Sequence, residues 1–234
     1  MAGTIIADYI RTDANQLSLN VGNTTFATIN ASGFFSNTGT QLIAANGKIS
    51  GVSISPGTIP TASIADSAIT RAKMGYAGAI LQVVSTVKTD TYTGSGSTFT
   101  TVTGLNATIT PTSATSKILV ILNMVIGQSY YTLNGRLMRG STAIGIGDAA
   151  SNRPRATFGL NTYVANQTYE EYHYKPVGVT FLDSPATTTA TTYSVQLASY
   201  SGYTYGVNRS VQYQDQPTYD PTTISTFTLM EIAQ

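Results

Sequence analysis

The sequence predicts an all-β protein, and its composition carries the prediction. Of the 234 residues, 39 are Thr, 15 are Tyr and 7 are Phe, and these β-branched and aromatic residues favour strands over helices. Charged residues make up 10% of the chain, against about 25% in an average soluble domain. The low charge indicates that much of the surface lies against neighbouring chains.

The composition and residue patterns of the sequence divide the chain into three regions. Residues 1–47 predict a short N-terminal β-hairpin module, and residues 48–77 predict an intertwined trimeric stem. Residues 78–234 predict a C-terminal knob that is a β-sandwich or jelly roll, because short strand-like runs alternate with Gly, Pro and Ser turns.

In the first region, alternating apolar residues in "QLSLNVGNTTFATIN" (16–30) predict a small hairpin. An isolated hairpin is only marginally stable in water, so we expect it to have partners. The following "GFFSNTG" (33–39) places two adjacent Phe between glycines, where they would anchor a partner. The residues expected to make this contact are Leu17, Leu19, Val21, Phe26, Phe34 and Phe35.

The second region repeats a large apolar residue at an interval of five. Neither a helix nor a strand has this period, since a step of five rotates a helix by about 140° and reverses the face of a strand. Three chains running side by side about a common axis would bury one such layer per repeat. The expected stem core is Ile49, Ile54, Ile59, Ile64, Ile69 and Met74. The alternative is a linker in which the spacing arises by chance.

Several runs in the third region predict strands. "SKILVILNMVIG" (116–127) is apolar on both faces, which predicts a central strand that is fully covered. "TFTTVTGLNATITP" (98–111) predicts two short strands around Gly104, and "RLMRGSTAIGIGD" (136–148) predicts a hairpin. Three further runs alternate as strands do: "KPVGVTFLD" (175–183), "ATTYSVQLASY" (190–200) and "ISTFTLMEIA" (224–233).

Composition argues against most enzymatic chemistry. There is no Cys and one His, so neither a thiolate site nor a His-rich metal site is expected. His173 could pair with Asp183 and a Ser, but no Gly-x-Ser-x-Gly turn supports a triad. Adjacent Glu170 and Glu171 would point to opposite strand faces and would need a distant third acid to hydrolyse a glycoside. We therefore expect no enzymatic activity and no cofactor.

The same composition limits partners and location. The net charge of +1 gives no electrostatic reason for binding nucleic acid or an anionic membrane. The longest apolar run, residues 118–126, is too short to cross a bilayer. The N-terminal stretch has no secretory signal pattern, so we expect synthesis in the cytoplasm.

Tyr residues concentrate in loop-like stretches, where their rigid amphipathic rings suit recognition of glycans or proteins. The alternative is aromatic packing between strands or subunits. The candidate ligand-loop residues are Tyr130, Tyr131, Tyr172, His173, Tyr203 and Tyr205.

Three motifs resemble small fibre-like virion proteins of tailed phages, especially phages of cyanobacteria and other aquatic bacteria. "SLNVGNTTFATINASG" (18–33) resembles their N-terminal module, and "IPTASIADSAITRAKM" (59–74) resembles the five-step stem of phage fibres. The third is the set "GLNATITPTSATSKILVILNM" (104–124), "FLDSPATTTATTYSVQL" (181–197) and "TLMEIAQ" (228–234), which resembles their terminal knob.

The resemblance implies a homotrimeric structural protein mounted on a virion by its N-terminal part. Because the chain has no room for a long shaft, we expect a capsid decoration or cement protein on the capsid exterior, with the major capsid protein or another virion protein as its partner. The first alternative is a tail-fibre knob that recognises a host-surface glycan. The second is a polysaccharide-degrading tailspike, which the missing acid pair disfavours.

Overall fold

The structure is a computed structural model that describes residues 16–21, 24–36, 41–44, 77–128, 131–161, 172–218 and 220–234. The chain divides into two compact units, residues 1–70 and 71–234. The six expected stem positions, from Ile49 to Met74, lie outside the described residues. The stem therefore stays a prediction.

The first unit contains a four-stranded antiparallel sheet in which each strand pairs with the next. Its first two strands confirm the predicted hairpin. "GFFS" is a strand and not a loop, which fits the strand preference of Phe. The turn before it is closed by the backbone N–H of Ser32, which donates to Asn30 Oδ1 over 2.8 Å. The strands are β1 (Gln16–Val21), β2 (Thr24–Asn30), β3 (Gly33–Ser36) and β4 (Gln41–Ala44).

The described part of the second unit contains two antiparallel sheets, connecting loops and a 3-10 turn at Tyr200–Gly202. Its strands are β5 (Ile80–Lys88), β6 (Tyr92–Gly94), β7 (Thr100–Ile109), β8 (Lys117–Gln128), β9 (Thr132–Arg139), β10 (Thr142–Ile144), β11 (Phe158–Asn161), β12 (Tyr174–Asp183), β13 (Thr191–Ser199), β14 (Tyr205–Val207) and β15 (Ser225–Ile232).

The five-stranded sheet has the order β10-β9-β13-β7, and β11 also pairs with β9. The six-stranded sheet has the order β5-β15-β8-β14-β6, and β12 also pairs with β8. Both sheets contribute to one buried hydrophobic cluster. The all-β class is thereby confirmed, with a core shared by two sheets. The jelly-roll connectivity stays a prediction.

The core follows strand alternation. On β8, every second residue from Ile118 to Ile126 is buried, and these side chains meet buried residues of the opposite sheet such as Leu137 and Val195. The prediction that β8 is central is correct, because strands pair with both of its edges. The prediction that both of its faces are covered is wrong, since Leu119 is only partly buried and Asn123 is exposed.

The predicted hairpin at 136–148 and the three alternating runs are confirmed as β9–β10, β12, β13 and β15. The two short strands predicted around Gly104 are one continuous strand, β7. Gly104 has a φ of +77°, and the pairing with β13 shifts between Ser194 and Gln196. The glycine therefore marks an irregularity inside a strand and not its end.

Candidate functional site

The outer face of the six-stranded sheet carries a row of apolar side chains across four neighbouring strands. Val83 on β5 lies opposite Met230 on β15, and Met230 lies opposite Leu119 on β8. Leu119 in turn lies opposite Leu182 on β12. Such neighbours lie about 5 Å apart, so the row is continuous. Val83 is 54% exposed and Leu182 is 46% exposed, so both ends of the row meet solvent.

Further apolar side chains extend this row along the strands. The patch covers about 14 Å across the four strands and about 20 Å along them, a size at which exposed apolar patches are often functional. We call it the apolar sheet face; it consists of Ile80, Val83, Val87, Leu119, Ile121, Val125, Leu182, Met230 and Ile232.

Two hydroxyl groups among the side chains of the apolar sheet face bond to each other. Ser85 Oγ lies 2.8 Å from Thr228 Oγ1 in a hydrogen bond. Lys117 is the one charged residue at an outward position of the described strands β5, β8, β12 and β15. A second protein surface could therefore cover most of this face without burying a charge.

The far end of the same sheet face is covered by the chain itself. A Cβ added to Gly127 would lie 2.4 Å from the backbone oxygen of Arg209 and 2.8 Å from the Cα of Ser210. A Cβ on the paired Gly206 would also meet Arg209. The two glycines thus let the backbone after β14 lie directly on the sheet, whereas no described segment of the second unit lies over the apolar rows beyond it.

Strand β5, which lies at the edge of this face, is also the first described strand after the predicted stem. Ile80 begins β5 and follows Met74 closely in sequence. The entering backbone is fixed to the C-terminal strand, because Gly78 N donates to Ala233 O over 2.8 Å and Ala233 N donates to Ala79 O over 2.9 Å.

A pocket of about 360 Å³ lies on the outer face of the five-stranded sheet. Its floor is formed by Thr132 and Asn134 on β9 and by Ala198 on β13, while Phe99 and Tyr200 form walls. We call it the Phe99–Tyr200 pocket. Its lining residues lie wholly within the second unit, on the opposite sheet from the apolar sheet face.

The two aromatic walls of this pocket contact further aromatic rings and an Arg guanidinium. The Arg136 guanidinium lies 4.2 Å from the centroid of the Phe99 ring, a cation–π contact. Tyr200 is 58% exposed, and its ring centroid lies 5.1 Å from that of Tyr131. Tyr131 also contacts Tyr203, with centroids 5.7 Å apart.

Two buried carboxylates have structural partners. Asp183 at the end of β12 accepts from Arg139 Nη1 and from the Tyr193 hydroxyl. Burial and the neighbouring Asp183 carboxylate raise the pKa of Tyr193 far above its usual 10, so its hydroxyl stays protonated and donates. His173 precedes β12 and Asp183 ends it, so about 30 Å of strand separates their backbones. The two cannot form a triad.

The second carboxylate, Glu231 on β15, is fully buried. Its Oε1 accepts from Thr112 N and Thr112 Oγ1, each over 2.7 Å, and its Oε2 accepts from Gln82 Nε2 over 2.5 Å. Burial alone would raise the pKa of Glu231, but these donors outweigh burial and hold it below 4.5. The carboxylate is thus stabilised as an anion and links β15 to the loop after β7.

The N-terminal sheet has an apolar row of its own. Leu17 lies opposite Ile29, Ile29 opposite Phe34, and Phe34 opposite Ile43. Ile29 is 42% exposed and Ile43 is 41% exposed. Two of the expected contact residues, Leu17 and Phe34, therefore lie in one row across the four strands, and we call this the N-terminal row.

The other expected contact residues of this unit are only partly described. Phe35 is half-buried and lies opposite Thr28 and Gln41, in the register next to the N-terminal row. Leu19 and Val21 lie on β1 and Phe26 on β2, and their side chains are outside the described part of the chain.

The predicted ligand-loop residues separate into different environments. Tyr131 and Tyr203 belong to the ring cluster beside the Phe99–Tyr200 pocket, while Tyr172 and His173 are half-buried before β12. Tyr205 is 1% exposed on β14, against Tyr92. Its assignment to a ligand loop is wrong, because the ring fills the core. Tyr130 lies outside the described residues.

Sequence reasoning did not find Phe99 or Asn134, which come from separate elements and meet only through sheet pairing. Within the described ranges, no group of three or more His, Asp or Glu side chains is arranged to hold a metal ion. No helix in these ranges is long and apolar enough to cross a membrane.

Comparison with known proteins finds no family model that matches the sequence and no similar curated protein.

Proposed function

We propose that this protein is a non-enzymatic structural component of a phage virion, a homotrimer that decorates the capsid exterior. Its N-terminal unit binds the major capsid protein or another virion protein. Its pentad segment forms a three-chain stem, and its second unit is a knob of the jelly-roll type that projects outward.

The apolar sheet face is the observation that carries this proposal, and its occupant is two further copies of the same chain. Near a threefold axis each side chain lies beside two copies of itself, so a charge there would meet like charges at a cost of several kcal/mol. The face meets this requirement except at Lys117, the first residue of β8, and its Ser85 and Thr228 hydroxyls bond to each other. It also begins at β5, the strand that follows the pentad segment.

The N-terminal row supports docking by the first unit. Its exposed Ile29 and Ile43 flank Phe34, and apolar rows of this kind are suited to partner contacts. Because the resemblance places the virion attachment in this part of the chain, the row is the attachment surface in our proposal.

The test is the abundance and position of the protein in purified phage particles. Decoration predicts a gel band comparable in intensity with that of the major capsid protein, together with antibody labelling over the head. Labelling confined to the tail, with a far fainter band, would move the protein to the tail-fibre role. Absence from purified particles would overturn the virion proposal.

The Phe99–Tyr200 pocket favours a second candidate, a tail-fibre knob that recognises host-surface glycan. Binding of the purified protein to host cells would support this alternative. Release of reducing sugar from host polysaccharide would instead support a tailspike enzyme, which needs two carboxyl groups that face the substrate.

A further inference from the structure

The Phe99–Tyr200 pocket has the dimensions and form of a small-molecule site. Its volume of about 360 Å³ falls within the range of roughly 300–1,000 Å³ that is typical of ligand pockets. It stands on the five-stranded sheet, so the contact between copies that we propose for the apolar sheet face would leave it open.

Four of the polar side chains that line the pocket have no hydrogen-bond partner among the described residues. Ser97, Thr132, Asn134 and Ser201 line it, and their side chains make no hydrogen bond to the described part of the chain. An amide and three hydroxyls offer both donors and acceptors. These groups can therefore bond to a ligand rich in hydroxyl groups without first breaking bonds to the protein.

The turn that presents Tyr200 is fixed. The buried Ser199 donates its backbone N–H to Gly96 O over 2.8 Å and its hydroxyl to Tyr203 O over 2.5 Å. Tyr203 N donates back to Tyr200 O over 3.1 Å. An exposed aromatic ring on a fixed turn loses little conformational freedom when a ligand covers it.

The charged side chains near the pocket indicate which class of ligand it can bind. Among the residues that the structure describes, no Asp, Glu, Lys or Arg lines the pocket. The nearby Arg136 is engaged, because its guanidinium stacks on Phe99 and its Nε donates to Gln196 Oε1 over 2.9 Å. Arg155 Nε donates to Gly147 O over 2.7 Å. The pocket therefore favours a neutral ligand over an anionic one.

We propose that the Phe99–Tyr200 pocket binds a neutral pyranose unit of a polysaccharide. The apolar C–H face of the sugar packs on Tyr200 and Phe99, and its hydroxyls bond to Asn134 and Thr132. This inference does not depend on the trimer or on attachment to head or tail, because every residue it uses lies within one copy of the second unit.

The experiment is saturation-transfer NMR on the full-length protein. The probes are the methyl pyranosides of glucose, galactose, mannose and N-acetylglucosamine, with methyl glucuronide as the anionic comparison. We expect transfer to the ring protons of at least one neutral glycoside. Tyr200→Ala and Asn134→Ala should each lower the affinity about tenfold, while Tyr200→Phe should retain binding because it keeps the ring.

Tyr213→Ala is the matched control, since Tyr213 is 42% exposed in a different loop and its removal should leave binding unchanged. Unchanged circular dichroism would show that each variant is folded. Three results would each overturn the inference: no transfer to any neutral glycoside, transfer that survives both Tyr200→Ala and Asn134→Ala, or binding of the glucuronide alone. None of them would alter the particle labelling that tests the virion proposal.

Discussion

Arg139 and Asp183 join the two sheets of the second unit. Arg139 ends β9 in one sheet and Asp183 ends β12 in the other, and Arg139 Nη1 lies 2.9 Å and 2.8 Å from the two carboxylate oxygens. Tyr193 on β13 donates to the same carboxylate over 2.7 Å. The carboxylate is nearly buried, at 8% exposure of its side chain, whereas that of Arg139 is 28% exposed. The pair thus stabilises the packing of sheet on sheet.

Asp183→Asn should destabilise the second unit by about 1–3 kcal/mol, because it removes the charge that Arg139 and Tyr193 contact. The partial exposure of Arg139 keeps the cost below that of a fully buried pair. Urea unfolding measures this change in the free energy of unfolding. The double variant with Arg139→Gln should cost less than the sum of the two single variants. An unchanged unfolding midpoint for Asp183→Asn would contradict the role of this pair.

Glu231 should make stability depend on pH in a defined direction. Its pKa is held below 4.5 in the folded chain, so the folded state binds its proton less readily than the unfolded state. The resulting stability is present above about pH 4.5 and is lost as the pH falls through the folded pKa. Urea midpoints of the wild type and of Glu231→Gln, measured at about pH 7 and about pH 3, should therefore converge in acid. If the difference between the two urea midpoints were the same at both pH values, the proposed role of the Glu231 carboxylate would be contradicted.

Gly127→Ala should destabilise the second unit by about 1–3 kcal/mol, because the new Cβ would overlap the backbone oxygen of Arg209. The matched control is Gly147→Ala, where an added Cβ has no neighbour within 4 Å. Thermal unfolding compares the two variants. Equal midpoints would mean that the Arg209–Ser210 segment does not lie against the sheet.

Val83→Asp should weaken self-association without unfolding the chain, because Val83 is 54% exposed on the apolar sheet face and a carboxylate there would meet its copies near the axis. Thr103→Asp is the control. Like Val83, Thr103 is exposed and lies on an edge strand, but this strand belongs to the other sheet. Sedimentation velocity should show smaller particles for Val83→Asp alone. Equal sedimentation of both variants would remove the apolar sheet face from the interface.

Much of the strand content could be predicted from the sequence, because alternation and turn residues act locally. The runs that became β12, β13 and β15 show this, as does the β9–β10 hairpin. Gly104 misled the prediction, since a glycine that permits an irregularity inside a strand looks the same in sequence as one that ends it. The order of strands in each sheet depends on long-range pairing, which the local sequence pattern does not predict.

The candidate sites were harder to predict for the same reason. The sequence shows that both faces of β8 are apolar and thereby predicts full burial, but only the structure separates a buried face from a partly exposed one. The tyrosines and glycines around Tyr205 have a loop-like composition and predict a loop, whereas its ring packs in the core beside Gly94. The Phe99–Tyr200 pocket has no local signal, because its residues come from distant parts of the chain.

Self-association into a trimer can be read from the mass of the intact protein in solution. Light scattering on a size-exclusion column, or native mass spectrometry, should give three times the 24.6 kDa of one chain. A stable, cooperatively unfolding species with the mass of a single chain would contradict the account.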